Sequence, residues 1–485
     1  MKQSTASAAD LKLLREAIVG LQPGAAHQAN DPPDLEKIFA PAAHVNALDP
    51  QRSLVIGNRG VGKSFWSSVL THDATRDKVA GFYPRLPLQS VQAILGFHES
   101  AGKDEGTAPS PAMLKELQGL GHEPETIWRA VLLNSLRHEI GETLPKSLSE
   151  IVAWMQADVA RQEAALRRAD RKFFDAKKIF LLVFDALDRL GTDWEVINPL
   201  TKGILRLALD MRGFRALKAK IFMRTDQYKD DSLFRFADAS KIRSNAVSLV
   251  WGRSELFGLL YNFLIKEDAV RTALGRLAGC GPSTILDTLL LDDEQLQEQV
   301  FYRLAGEFMG TGPKRGRTYN WLYDHLADTF GETSPRSFIT ALQRAAATAP
   351  APTDKVIDYI GIRAGVQDAS RVRVSQLKED YDWIDEVLRA LDGLEVPCDP
   401  SAFVNRWTER GTVETLRSAA QSTTSRLPLE LVTGLNRSEE ALLRALTNIG
   451  VVEFRTANRI NMPDIFRVEA GIKRRGGVRP PASRR

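Results

Sequence analysis

Between residues 53 and 64 the chain reads Ser-Leu-Val-Ile-Gly-Asn-Arg-Gly-Val-Gly-Lys-Ser. The chemistry such a run can do is the holding of phosphate. Glycines let the backbone curl until successive N–H groups point inward onto phosphate oxygens. A helix starting directly after them adds the positive end of its dipole. Gly57, Asn58, Arg59, Gly60, Val61, Gly62, Lys63, Ser64 and Phe65 are the candidate cradle. In the pattern Gly-x-x-x-x-Gly-Lys-Ser, the P-loop or Walker A motif, Lys63 reaches the β- and γ-phosphates and Ser64 sets its hydroxyl on Mg2+. A Gly-rich turn matching by chance is the alternative. Against it, a short apolar run precedes the loop, the apolar start of a helix (Phe65, Trp66, Val69, Leu70) follows, and a partner motif stands downstream.

That partner is Ile179-Phe180-Leu181-Leu182-Val183-Phe184-Asp185. An unbroken apolar run is how a parallel strand buried on both faces reads. Ligands of open α/β sheets sit beyond the carboxyl ends of the strands. Asp185 stands at such an end and is the candidate Mg2+ acid, binding directly or through water. A further apolar run, Ala219 to Met223, ends in Arg224, Thr225 and Asp226.

The elements that must position these groups follow from periodicity and punctuation. Residues 10–20 have helical spacing, residues 22–34 read as a loop, and Leu35 to Leu48 leads into the P-loop strand. On that lead-in, Phe39 or Pro41 is either core or a platform for a base. Ala80 to Pro84 reads as a short strand, 99–112 as a surface loop, and 123–175 as long helices ending in a basic run from Arg161 to Lys178. Such a run is more often a solvated helix face than a phosphate contact. Trp194 to Met211 reads as a helix, Val247 to Trp251 as a last strand, and 254–346 as a helical region. There Ser334 is an N-cap with Pro335 behind it. Arg336, a cation in a first turn, calls for an anion, either a nucleotide phosphate or a structural carboxylate. Residues 347–356 read as a linker, and 372–395 as one helix or two. An amphipathic helix from Ser438 to Ile449, then two short strands around a turn at Thr456 to Asn458, suggests a winged helix. The tail from Lys473 to Arg485 holds six basic residues and no acid. It either holds nucleic acid electrostatically or is a soluble extension.

Length and composition bound the rest. The chain has 485 residues, 43% apolar and 26% charged, with a net charge of +4. That is material for two to four globular domains, and too little charge to argue for nucleic acid globally. Two distant cysteines, Cys280 and Cys398, make neither a disulfide framework nor a metal pattern. The first residues carry no apolar signal segment, and no run is long enough to span a bilayer. A soluble, cytoplasmic protein without membrane partners is expected.

On the residues Gly57 to Ser64, Asp185-Ala186-Leu187-Asp188-Arg189, Arg224-Thr225-Asp226 and Pro335-Arg336, the chain resembles the ASCE branch of P-loop ATPases, especially its AAA+, STAND and KAP groups. The resemblance covers about residues 35–346 and, weakly, 375–470. It implies an α/β fold: a P-loop NTPase parallel-sheet core with a helical lid and a C-terminal winged-helix domain. The division it suggests is 1–253 for the core with a helical insertion at about 100–175, 254–346 for the lid, 347–371 for a linker, 372–470 for the winged helix and 471–485 for the basic tail. It implies ATP and Mg2+ as ligands, Ser64 and Asp185 as magnesium residues, Arg224, Thr225 or Asp226 as a sensor beside the γ-phosphate, and Arg336 as a sensor in the lid. For Arg224 to Asp226 a helix cap or turn ion pair is an equal alternative. AAA+ enzymes carry Glu directly after the Walker B Asp, and here that position is Ala186. The Asp-x-Leu-Asp-Arg run looks most like the KAP form, which makes Asp188 the candidate acid for orienting water. Lys63, Asp185, Asp188 and Arg224 are thus the candidate catalytic set. A residue acting in trans is left open among Arg235, Arg243 and the Lys314 to Arg317 loop.

The function these features imply is an ATP-binding and hydrolysing regulatory switch. It would assemble with itself, act on a separate effector or target protein, and by resemblance belong to bacterial signalling or antiviral defence. The rivals are a DNA-acting motor or loader using the winged helix and basic tail, a scaffold that binds ATP without turnover, and a small-molecule kinase, which the size and the C-terminal domain disfavour.

Overall fold

The computed structural model describes residues 6–22, 31–103, 106–191, 194–279, 290–422, 427–433, 439–474, 478 and 480. The chain divides into two compact units, residues 25–250 and residues 1–24 with 251–485.

The unit 25–250 is built on five strands: β1 (Leu54–Gly57), β2 (Val91–Phe97), β3 (Ile179–Phe184), β4 (Leu217–Arg224) and β5 (Val247–Ser248). Their order is β2-β3-β4-β1-β5 and every pairing is parallel. β4 therefore lies between the P-loop strand and the acidic strand. Register sets Gly57 opposite Arg224 and Phe184 opposite Ile221. The C-terminal ends of β1, β3 and β4 thus share one edge. β1 is buried at all four positions and β3 at five of six, as strands covered by helices on both faces must be. The covering helices include Lys63–Thr71, Pro124–Ser135, Leu148–Ala157, Val159–Asp175 and Trp194–Met211.

Ala80 to Pro84 is not a strand: Asp73–Phe82 is a helix that buries Val79 and Ala80. Tyr83 follows it, and its hydroxyl donates to the Pro41 carbonyl at 2.6 Å. The strand in this region is β2, at the end of the sheet, where Gln92 reaches solvent and the apolar signal is diluted. The basic run on Val159–Asp175 is largely engaged in place. Arg161 and Arg168 both pair with Glu142, Arg167 lies 3.2 Å from Glu163, and Arg161 stacks over Trp154.

Beneath the start of β1, Lys220 of β4 is fully buried. Its ammonium donates to the carbonyls of Ala47, Asp49 and Arg52 at 2.9, 2.6 and 2.6 Å. Three N–H groups meet three acceptors, which ties the lead-in segment to the sheet.

In the other unit, the helix Ala8–Val19 is closed by a Ser7–Asp10 capping box. Asp10 is ion-paired to Arg276, and Arg15 donates to the carbonyls of Pro352, Lys355 and Val356. These contacts hold the N-terminal helix among the helices after residue 251, so it does not group with the sheet as the division at 1–253 had it. The stretch assigned to a linker is mostly helical, because Tyr359–Asp380 starts inside it. That helix lies close against Pro335–Ala346, and a Cβ at Gly361 would stand 2.7 Å from the Ala345 carbonyl oxygen. Further on, Glu439–Asn448 leads into the antiparallel pair β7 (Glu453–Arg455) and β8 (Arg459–Asn461). Ala457 and Asn458 turn between them at positive φ. Cys398 forms an antiparallel bridge with Ile460, and β6 (Glu395–Val396) runs parallel to β9 (Lys473–Arg474). Cys280 and most of the tail beyond Arg474 lie outside the described residues. Among the described residues, no helix is long and apolar enough to cross a membrane.

Candidate functional site

The loop after β1 takes its shape from glycine. A Cβ at Gly57 would meet Val61 Cγ2 at 2.7 Å and the Leu249 carbonyl oxygen at 3.3 Å. Gly60 and Gly62 have φ of 83° and 101°, in the region that side chains disfavour. Gly62 is also the N-cap of Lys63–Thr71 and offers no side chain to the amides of the first turn. Those amides are the donors a helix leaves unsatisfied at its start.

Lys63 Nζ donates to the carbonyls of Gly57 and Asn58, both at 2.9 Å, and so lies along the loop. Burial pushes its pKa down to about 8; the Arg224 charge lowers it further, while Asp185, Asp188 and Asp226 pull it back up. Four of the charged groups read from the sequence thus converge on this one ammonium. Asp185 extends the β3 ladder, its N–H donating to the Phe97 carbonyl at 3.0 Å. The Ser64 hydroxyl hydrogen-bonds its carboxylate, yet burial is the larger influence and raises its pKa. Its Oδ2 is buried and makes no hydrogen bond among the described residues.

After Asp185 the chain turns sharply. Ala186 adopts φ 54°, ψ 43°, a left-handed conformation rare for alanine, and Leu187–Arg189 forms a single 3-10 turn. Asp188 on this turn lies 3.6 Å from Arg224 Nη1. Arg224 is also held in a bidentate pair with Asp226, at 3.0 and 3.1 Å. The turn ion pair weighed from the sequence is therefore present, and the same guanidinium faces Asp188. Arg189 reaches Glu99 at 3.7 Å, bringing the segment after β2 to the same edge.

Gly57 to Phe65, Asp185, Asp188, Arg224, Thr225 and Asp226 all belong to the 25–250 unit. Arg336 belongs to the other, on the first turn of Pro335–Ala346, where Ser334 caps the Ser337 amide at 3.1 Å. Of the candidates for action in trans, Arg243 pairs with Asp231 at 2.8 Å and stacks over Tyr228 and Phe234. Arg317 lies 3.6 and 3.5 Å from Glu298 and Glu307. Arg235, Lys314 and Arg315 are exposed.

His44 escaped the sequence reading. Trp66 Nε1 donates to its Nδ1 at 3.1 Å. An indole N–H can only donate, so Nε2 carries the ring proton and donates to the Val250 carbonyl at 2.9 Å. Burial holds the His44 pKa down to about 4, which keeps the ring neutral. The residue thus fastens the lead-in to the P-loop helix and to the segment after β5. A single histidine in an irregular stretch carries no signal that could have announced this. Phe39, weighed as a base platform, is buried.

No family model matches the chain, and no curated protein matches it. Among solved structures, a Walker-type ATPase of Pyrococcus abyssi is similar over 92% of this chain and 97% of its own, with 12% identity and a TM-score of 0.39. The ORC2 protein of Aeropyrum pernix, solved in ADPNP and ADP complexes, is similar over 90% and 93% at 12% identity and a TM-score of 0.30. Cdc6p from Pyrobaculum aerophilum is similar over 91% and 94% at 13% identity and a TM-score of 0.30.

Proposed function

We propose that the chain binds ATP with Mg2+ at the loop after β1 and hydrolyses it as a regulatory switch. The observation that carries this reading is the meeting of Ser64 and Asp185 beside Lys63, with Asp185 Oδ2 buried and unpartnered. A buried carboxylate oxygen without a donor is costly unless something binds it. A hydroxyl and a carboxylate oxygen are the hard ligands magnesium takes, so the residues fit the ion. When bound, the ion offsets the charge of the phosphates. The protein's part is to hold and orient. Lys63 would exchange the Gly57 and Asn58 carbonyls for phosphate oxygens. Asp188 would orient the attacking water, and Arg224 would stand beside the transferred phosphoryl group.

The regulatory part rests on the second unit. Glu439–Asn448, the β7–β8 hairpin and the Cys398–Ile460 bridge support a winged-helix reading. Its helix opens on Glu439 and Glu440. In the hairpin, Arg455 is paired to Glu453 at 2.8 Å and Arg459 donates to the Pro397 carbonyl. Two carboxylates on the helix and engaged arginines on the hairpin favour a protein surface over a DNA phosphate backbone. We therefore read the domain as the contact for a target protein or a second copy of the chain, with ATP biasing one arrangement over another.

The test is phosphate release from ATP by the wild type, Lys63→Ala and Asp188→Ala, with and without duplex DNA. Turnover lost in both variants and indifferent to DNA is the expected result. ATP binding without turnover in the wild type would make the chain a scaffold, and DNA stimulation would make it a motor.

A further inference from the structure

A cavity of about 650 Å3 opens among the helices Pro124–Ser135, Leu148–Ala157, Val159–Asp175 and Trp194–Met211, and no residue of the P-loop lines it. That volume is in the range of small-molecule sites. Pro124–Ser135 is twelve residues long and has no side-chain cap, so the amides of Glu125 and Thr126 begin it without a side-chain acceptor. Both residues line the cavity. Gln162, on the facing helix, is only 4% exposed and also lines it. Among the described residues its side-chain amide makes no hydrogen bond, which leaves it available to whatever occupies the cavity. Lys202 lines it from the third side and has no carboxylate partner among the described residues. Glu125 does not oppose an anion freely, since Arg206 at 3.7 Å and Arg129 at 4.0 Å already share it. Glu123 stands exposed at the rim, and Met155 and Val159 supply an apolar lip.

We infer that this cavity binds a small organic phosphate. The phosphate would sit on the first turn of Pro124–Ser135 with Lys202 as its counter-charge, and Gln162 would hydrogen-bond the organic portion. Occupancy bears on the ATP site through one packed path. Gly203, in the cavity wall, lets Pro124 and Trp128 approach so closely that a Cβ there would stand 2.9 and 3.0 Å from them. Trp128 donates to the Leu200 carbonyl at 2.9 Å and meets Phe184, the residue before Asp185, edge to face at 5.4 Å. An effect on turnover rests on the ATPase reading; binding itself does not.

The experiment titrates inorganic phosphate and ribose 5-phosphate into the full chain carrying Lys63→Ala, which silences the P-loop lysine, by calorimetry. The same titration is made with Lys202→Met and with Gln162→Leu added. Saturable binding of ribose 5-phosphate, tighter than that of inorganic phosphate and weakened ten-fold or more by Lys202→Met, is expected. Gln162→Leu should remove the preference for the organic phosphate while sparing inorganic phosphate. Should Gln162→Leu fail to fold by circular dichroism, Arg206→Gln on the exposed rim replaces it, with weaker binding of both probes expected. No saturable binding at millimolar ligand, or binding indifferent to Lys202→Met, overturns the inference. Neither outcome touches the ATPase reading, which wild-type ATP binding measures separately.

Discussion

Two lysines guard the two ends of β1, and they differ in what surrounds them. Lys220, at the start of the strand, gives three N–H groups to three carbonyls. Lys63, just past its end, holds two loop carbonyls and feels four other charges, next to a carboxylate oxygen without a hydrogen bond among the described residues. Both ammonium groups have pKa values pushed down by burial, to about 7 and about 8. A lowered pKa therefore does not separate a lysine closed into the fold from one at the candidate site. What separates them is completeness: one end of the strand is closed as a hydrogen-bonding system, and the other is left open.

The largest effect expected from breaking this contrast is at the open end. Lys63→Ala should cut phosphate release by about 100- to 1,000-fold, as loss of one charge-stabilising donor does, while the urea midpoint barely moves. Lys220→Met should do the reverse. It leaves three carbonyls without a donor, a loss of about 3 kcal/mol or more, read in urea unfolding, with ATP affinity kept in the folded fraction. The same residue gives a pH signature. Its folded pKa of about 7 lies below the ordinary 10.5. Between those values the unfolded chain binds more protons, so this group's contribution to stability rises as pH rises. The wild type should gain stability relative to Lys220→Met from pH 7 toward pH 10, and a flat difference would place the ammonium in a wetter setting.

A smaller effect is expected from Asp185→Asn. Burial raises the Asp185 pKa, so the carboxylate weakens the fold as pH rises above its ordinary 3.8. Replacing it should stabilise the protein by about 1–2 kcal/mol, a melting rise of about 2–4 °C, while ending turnover. A melting point that falls would mean that the open oxygen is already satisfied. Smallest of all, Ala186→Gly should relieve the left-handed turn and add at most about 1 kcal/mol, seen as a slightly raised melting temperature.

Legibility followed burial. β1 and β3, covered on both faces, read as apolar runs, and the acid at the end of β3 could be named because the run stops at it. β2, at the end of the sheet with Gln92 in solvent, gives no such run, and Ala80 to Pro84 reads as a strand although its first three residues end the helix Asp73–Phe82, of which only a few residues enter the core. Tyr359–Asp380 hides behind Ala-, Thr- and Pro-rich residues that precede it, and its glycines, weak helix formers, are there to let a neighbour come close. Arg336 is legible in the sequence only as a cation in a first turn, and the structure sets it on Pro335–Ala346, in the unit that does not hold the loop.

The sequence by itself determined the glycine-rich loop, the acidic strand end and the parallel α/β class, because each is written in contiguous residues: glycines at fixed spacing, an apolar run, a terminal carboxylate. Only the tertiary structure decided that Arg224 stands between Asp226 and Asp188, that His44 locks Trp66 to the Val250 carbonyl, and that Lys220 is closed while Asp185 is open. Those are contacts between groups far apart in the chain or around a turn. Their energy depends on desolvation and on which donors and acceptors are met, and neither quantity exists until the chain has folded.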